Sequence, residues 1–189
     1  AHVSKDGQSW KGELGVFDDI HIDGLSRLAK AIHEEESLLI AQLFHGGLQA
    51  DENLTGSTPI SASRTKSRLS KTGFSKQASE KEIIRVISDF KDAAHRCHEA
   101  GFDGVEIHGA HGYLITQFLG TKTNLRSDPW GGSLNNRSRL LIEILRTIRD
   151  EFPENFIVGV RISPEIKTMG IRLDDSIELA KKISEMEID

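Results

Sequence analysis

Apolar residues along the chain recur at two different spacings. In "DDIHIDGLSRLAKAIHEEES", Ile22, Leu25, Leu28, Ala29 and Ile32 return every three or four positions, the period of a helix with one buried face. "LLIAQLF" comes next, a continuous apolar run with one interior polar residue, Gln42, broken by "HGG". Too short for a helix and apolar on both faces, it predicts a buried parallel strand. Residues 48–78 are polar and rich in Ser, Thr and Lys, a long excursion of the kind that is usually functional in a compact domain.

The two periods then alternate. Ser79 and Glu82 form an S-x-x-E capping box for a helix whose face is Ile83, Ile87, Phe90, Ala94 and Cys97, with Gly101 placed to end it. Strand-like "FDGVEI" follows. "RSRLLIEILRTIRDEF" is helical through Leu140, Leu141, Ile144, Leu145 and Ile148, and "FIVGVRIS" is a second buried strand with Arg161 near its end. A last helix, "LDDSIELAKKISEME", is expected to be capped by Asp174 or Asp175. Strand and helix in alternation at these lengths require a parallel sheet with right-handed crossovers.

A doubly wound sheet and a (β/α)8 barrel share that local pattern. No strand-to-helix turn carries G-x-G-x-x-G or G-x-x-x-x-G-K-[ST], which removes the usual phosphate cradles. The unusual polar residues fall instead at the C-terminal ends of successive strands: Gln42 to His45, His108 to Tyr113, and Arg161. A barrel builds its site at those ends. The expected fold class is therefore α/β, a partial TIM barrel of parallel strands alternating with helices. Residues 1–189 form one domain, truncated at both ends, because the chain opens without Met and stops inside a helical pattern.

Composition narrows the class of function. The net charge of -5 gives no nucleic-acid footprint. No apolar run reaches the roughly 20 residues of a membrane helix, and the first residues do not read as a signal peptide. The single cysteine, Cys97, forms no disulfide within the chain and fits a reducing, cytoplasmic setting. A small-molecule substrate is the expected partner, and homo-oligomerisation is left open.

His108, His111 and Tyr113 put three hydrogen-bonding rings at one strand end, where burying them idle is unfavourable. Their spacing does not favour a metal site, since zinc needs a third ligand and only His45 is near in the fold. Two imidazoles donating to one substrate oxygen, with a phenol supplying a proton, suit chemistry in which charge grows on an enolate oxygen. The alternative is structural, with the rings satisfied by backbone and packing. Gln42 is either a satisfied amide or a donor–acceptor pair for a flat heterocycle. Arg161 needs an anionic partner, either a carboxylate such as Glu106 or a ligand.

"HGAHGYLITQFLGTKTNLRSDPWGGSLNNRSRL" resembles the old yellow enzyme family of FMN-dependent NAD(P)H oxidoreductases over more than thirty residues. "LGVFDDIHIDGLSRLAKAIHEEESLLIAQLFHGG" is similar to its second helix and third strand, and "VGVRIS" to its fifth strand. The resemblance implies an ene-reductase in which hydride passes from NAD(P)H through FMN to an activated alkene. Gln42 and Arg161 match the residues that hold the flavin pyrimidine ring, and His108 and His111 the pair that grips the substrate oxygen. Tyr113 matches the proton donor. A second His in place of Asn resembles the bacterial branch. Asn124, Arg126, Asp128, Gly131, Gly132, Asn136 and Arg137 match loop scaffold. The family pattern is broken in two places: Gly120-Thr121 stand for Ser-Pro, which is expected to loosen a rigid turn, and Trp130 stands for Tyr. The family's first strand and its phosphate-binding loops have no counterpart between Ala1 and Asp189, so this stretch by itself is not expected to hold FMN tightly. The runner-up readings are a dienoyl-CoA reductase or amine dehydrogenase-like member with an added Fe–S domain, and a non-catalytic barrel segment.

Overall fold

The computed structural model describes residues 1–189. Helix α1 (Ile22–His33) leads into strand β1 (Ile40–Leu43). The polar excursion then holds a one-turn helix α2 (Glu52–Thr55) and two short strands, β2 (Ile60–Ser61) and β3 (Lys76–Gln77). Helix α3 (Glu80–Glu99), β4 (Gly104–Gly109), α4 (Leu114–Leu119), α5 (Leu134–Arg149), β5 (Ile157–Ile162) and α6 (Leu173–Ile183) complete the order. The main sheet runs β1-β4-β5, all parallel, and β2 pairs with β3 in a small parallel sheet. The first residues extend the main sheet: Val3 N–H donates to the Phe44 carbonyl at 3.0 Å and Phe44 N–H to that of Ala1 at 3.0 Å. This is the expected partial barrel. No helix is long and apolar enough to cross a membrane.

Alternation along the strands sorts side chains into two layers. Ala41, Leu43, Val105, Ile107 and Val158 face the helices and are buried among Leu25, Phe90, Ile144 and Leu145. Each fully buried Val, Leu, Ile or Phe side chain among these contributes about 1.5–3 kcal/mol. Gln42, Glu106 and Arg161 lie on the opposite, inner face. The capping box is formed as expected, with Ser79 and Glu82 exchanging bonds. Gly101 takes φ +88° one residue past the C-cap of α3, where a side chain would be strained.

Three expectations change on folding, and the long excursion gains its detail. "LLIAQLF" is not buried on both faces: Leu38 is 69% and Ile40 44% exposed, because Ile40 shares the open inner face with Gln42. Val86 and Ala93 are buried in α3 while Ile87 is only partly covered, so the core-facing stripe is wider than its sequence spacing implied. Neither Asp174 nor Asp175 caps α6. Arg172 is its N-cap residue, both acids sit in the first turn, and Asp175 accepts from Arg137 Nη2 at 3.1 Å. The excursion 48–78 is an ordered, anchored layer: Glu52 alone accepts from Lys71 N–H (2.7 Å), Ser70 Oγ (3.0 Å) and Thr58 Oγ1 (3.2 Å).

Candidate active site

Parallel pairing puts residues of equal register on the same face. Gln42 lies opposite Glu106, Glu106 opposite Gly159, and His108 opposite Arg161. The inner face thus carries two adjoining rows of polar side chains. Gln42 Nε2 donates to Glu106 Oε2, and Arg161 Nε donates to the same oxygen at 3.1 Å. Glu106 was only one of two partners open to Arg161 on sequence. Burial pushes the Glu106 carboxyl up, but the bonds from Gln42 and Arg161 outweigh it and hold the pKa below the usual range.

One row on, His108 is buried and its ring centroid lies 4.9 Å from that of His111 and 5.2 Å from that of Tyr113. The structure therefore brings the three rings together. Phe44 closes the group, 4.8 Å from Tyr113 and 6.4 Å from His108, and Trp10 stacks on Phe44 at 6.2 Å. His45 does not join them. It is buried, accepts from Gly47 N–H at Nδ1 (3.0 Å) and turns Nε2 towards Asp6 Oδ1 at 3.5 Å.

Burial, and then the neighbouring His111, push the His108 imidazole down to about 4. Its ring is neutral at pH 7 and carries one N–H. Nδ1 is buried without a partner. A proton there would be an unpaired buried donor, so the N–H belongs on Nε2, where it can donate to a ligand oxygen. Burial also raises the Tyr113 phenol above its ordinary value, which keeps its proton in place for donation. Linkage follows from the sign. Between pH 6.5 and about 4 the unfolded chain binds the His108 proton and the folded one does not, so this residue removes stability as pH falls through that window. His108→Phe is expected to flatten the fall in urea midpoint between pH 6.5 and 4.5; an unchanged slope would show that the imidazole is not buried neutral.

The turn that presents His111 and Tyr113 is held from three sides. His111 sits at φ 57°, a left-handed conformation uncommon outside glycine, and Gly112 follows at φ 82°. His111 N–H donates to Ser163 Oγ (3.3 Å) and its carbonyl accepts from Gln49 Nε2 (3.2 Å). Gln117, fully buried, donates from Nε2 to the carbonyls of Gly112 (2.8 Å) and Gly46 (3.2 Å) and accepts from Leu48 N–H (3.0 Å). The sequence reading missed Phe44, Gln49, Gln117 and Ser163. Gln117 alone had a signal, as the one amide in the apolar run "LITQFL".

The scaffold residues are satisfied by backbone. Asn124 Nδ2 donates to Phe118 and Trp130 carbonyls, both at 2.8 Å, and Arg137 Nε to that of Gly132 at 3.1 Å. Gly120 does not loosen its turn. A Cβ there would collide with the Met169 carbonyl, which instead accepts from Lys122 N–H at 2.9 Å, so the missing side chain lets residues 166–171 close down.

Comparison with known proteins matches residues 1–189 to the NADH:flavin oxidoreductase / NADH oxidase family. The chain belongs to this family. It is 38% identical over 163 residues to an NADPH dehydrogenase of Clostridium acetobutylicum, covering 86% of this chain and 47% of that one. It is 37% identical over 189 residues to an NADH:fumarate oxidoreductase of Klebsiella pneumoniae, covering 97% of this chain and 20% of that protein. The solved old yellow enzyme homologue from Zymomonas mobilis superposes with a TM-score of 0.90 at 30% identity, over 99% of this chain and 56% of that one. The chain thus spans about half the length of the shorter relatives and one fifth of the longest of these, and this stretch is common to both. The flavin in the family's name suits the inner-face donor types: a guanidinium and an amide gathered on one carboxylate are groups that can bond the hydrogen-bonding edge of a flat heterocycle.

Proposed function

We propose that residues 1–189 supply the central part of an FMN-binding TIM barrel, from the end of its second strand to its fifth helix, in an ene-reductase. The convergence of His108, His111 and Tyr113 beside the hydrogen-bonded Gln42–Glu106–Arg161 group carries this reading. Gln42 and Arg161 would hold the flavin pyrimidine ring. Bound FMN supplies the two-electron chemistry, drawing reducing equivalents from NAD(P)H. His108 and His111 bind the carbonyl or nitro oxygen of an activated alkene and withdraw electron density from it, which leaves the distal carbon electrophilic. Tyr113 protonates the adjacent carbon. The His/His pair supports a bacterial-type branch assignment, and the buried, free Cys97 is in keeping with a cytoplasmic setting.

The test uses this chain and, beside it, the chain extended to barrel length. After FMN is added and excess removed, the extended protein is expected to retain flavin absorbance and the 189-residue chain little or none. Bleaching by NAD(P)H and recovery on adding an unsaturated ketone establish the activity. An extended protein that never holds flavin would overturn the assignment and leave the residues as scaffold.

A further inference from the structure

Glu106 lies at the middle of the inner face, and both proposed flavin ligands reach it. Gln42, its register partner on β1, donates through Nε2, and Arg161, two residues beyond its register partner Gly159 on β5, donates through Nε at 3.1 Å. The inner face is open beside this pair: a Cβ added at Gly159 would meet nothing closer than 4.0 Å.

Three consequences follow from one carboxylate. A carboxylate only accepts, so it selects the NH2 end of the Gln42 amide and leaves Oε1 aimed elsewhere, which sets an orientation an isolated amide would not have. Arg161 uses only Nε on Glu106, and its terminal nitrogens remain available in a fixed plane. The ion pair also offsets the positive charge that Arg161 would otherwise present on the inner face.

Resting on the ene-reductase reading above, we propose that Glu106 is a positioning residue for the flavin. It orients Gln42 and Arg161 and, by opposing the charge of Arg161, lowers the protein's preference for reduced, anionic flavin over oxidised flavin.

Glu106→Gln and Glu106→Ala in the barrel-length protein separate the two effects. The amide of Glu106→Gln still accepts from Arg161 but carries no charge. Its ratio of oxidised to reduced FMN dissociation constants is expected to rise about tenfold, read as a midpoint potential about 30 mV more positive for a two-electron couple. Glu106→Ala removes the acceptor as well, and its affinity for oxidised FMN, read by flavin fluorescence titration, is expected to drop about tenfold or more. Circular dichroism checks that each variant is folded, and the isosteric Glu106→Gln carries the test if Glu106→Ala is not. A folded Glu106→Gln with unchanged potential overturns the role of Glu106 while leaving the ene-reductase reading intact. A parent protein that holds no flavin overturns both.

Discussion

Tyr113→Phe in the barrel-length protein is expected to leave flavin reduction by NAD(P)H at its normal rate and to slow reoxidation by an unsaturated ketone about 10²–10⁴-fold. The change removes one hydroxyl and little else. The ring keeps its packing at 4.8 Å from Phe44 and 5.2 Å from His108, so the turn that carries it stays formed. The turn is also held through backbone groups, by Gln117 on the Gly112 carbonyl and by Gln49 on that of His111, and neither bond involves the phenol. What disappears is a proton donor whose raised pKa keeps it protonated. Stopped-flow absorbance separates the two half-reactions. Equal slowing of both would show that the residue shapes the pocket and does not protonate the substrate, and quinones, which need no carbon protonation, should be reduced normally by the variant.

The second large effect is on stability. Arg126→Met is expected to destabilise the protein by roughly 3–5 kcal/mol, read from urea denaturation, with no comparable loss from Arg139→Met on the surface. Arg126 has a side chain only 3% exposed, and it ties the excursion 48–78 to the loop before α5. Nη1 donates to the carbonyls of Ala62 (3.0 Å) and Ala78 (2.6 Å), while Nε and Nη2 hold Asp128 at 2.9 and 2.6 Å. Methionine fills most of the volume but leaves the Ala62 and Ala78 carbonyls without their donor, while Asp128, 40% exposed, keeps only Trp130 N–H at 3.1 Å; the two unpaired carbonyls set the size of the effect. A loss under 1 kcal/mol would mean that water replaces the guanidinium and that the loop is not held by it.

Tyr113 and Arg126 differ in how far each could be read from the chain. The three rings of the site stand within six residues of one another, and the turn that folds them together is local, so their meeting was legible in "HGAHGY". Arg126 belonged to the family pattern as scaffold, but its partners Ala62 and Ala78 are separated from it by 64 and 48 residues, and backbone carbonyls leave no mark in a sequence. Phe44 and Ser163 were invisible for the same reason. Each is an ordinary residue on another strand end, and it matters only because parallel register brings it beside His108 or His111.

The alternation of helical and strand periods determined the α/β class and the parallel sheet, since side-chain periodicity is a property of the local backbone. The polar residues at successive strand ends likewise identified which edge of the sheet carries chemistry. Tertiary structure decided what periodicity cannot encode: that Ile40 lies on an open face, that Asp175 serves Arg137 and not a helix cap, and that Gln42 and Arg161 meet on Glu106. Each of these depends on register between segments distant along the chain. Register is set by the packing of whole elements, and no single stretch of sequence contains it.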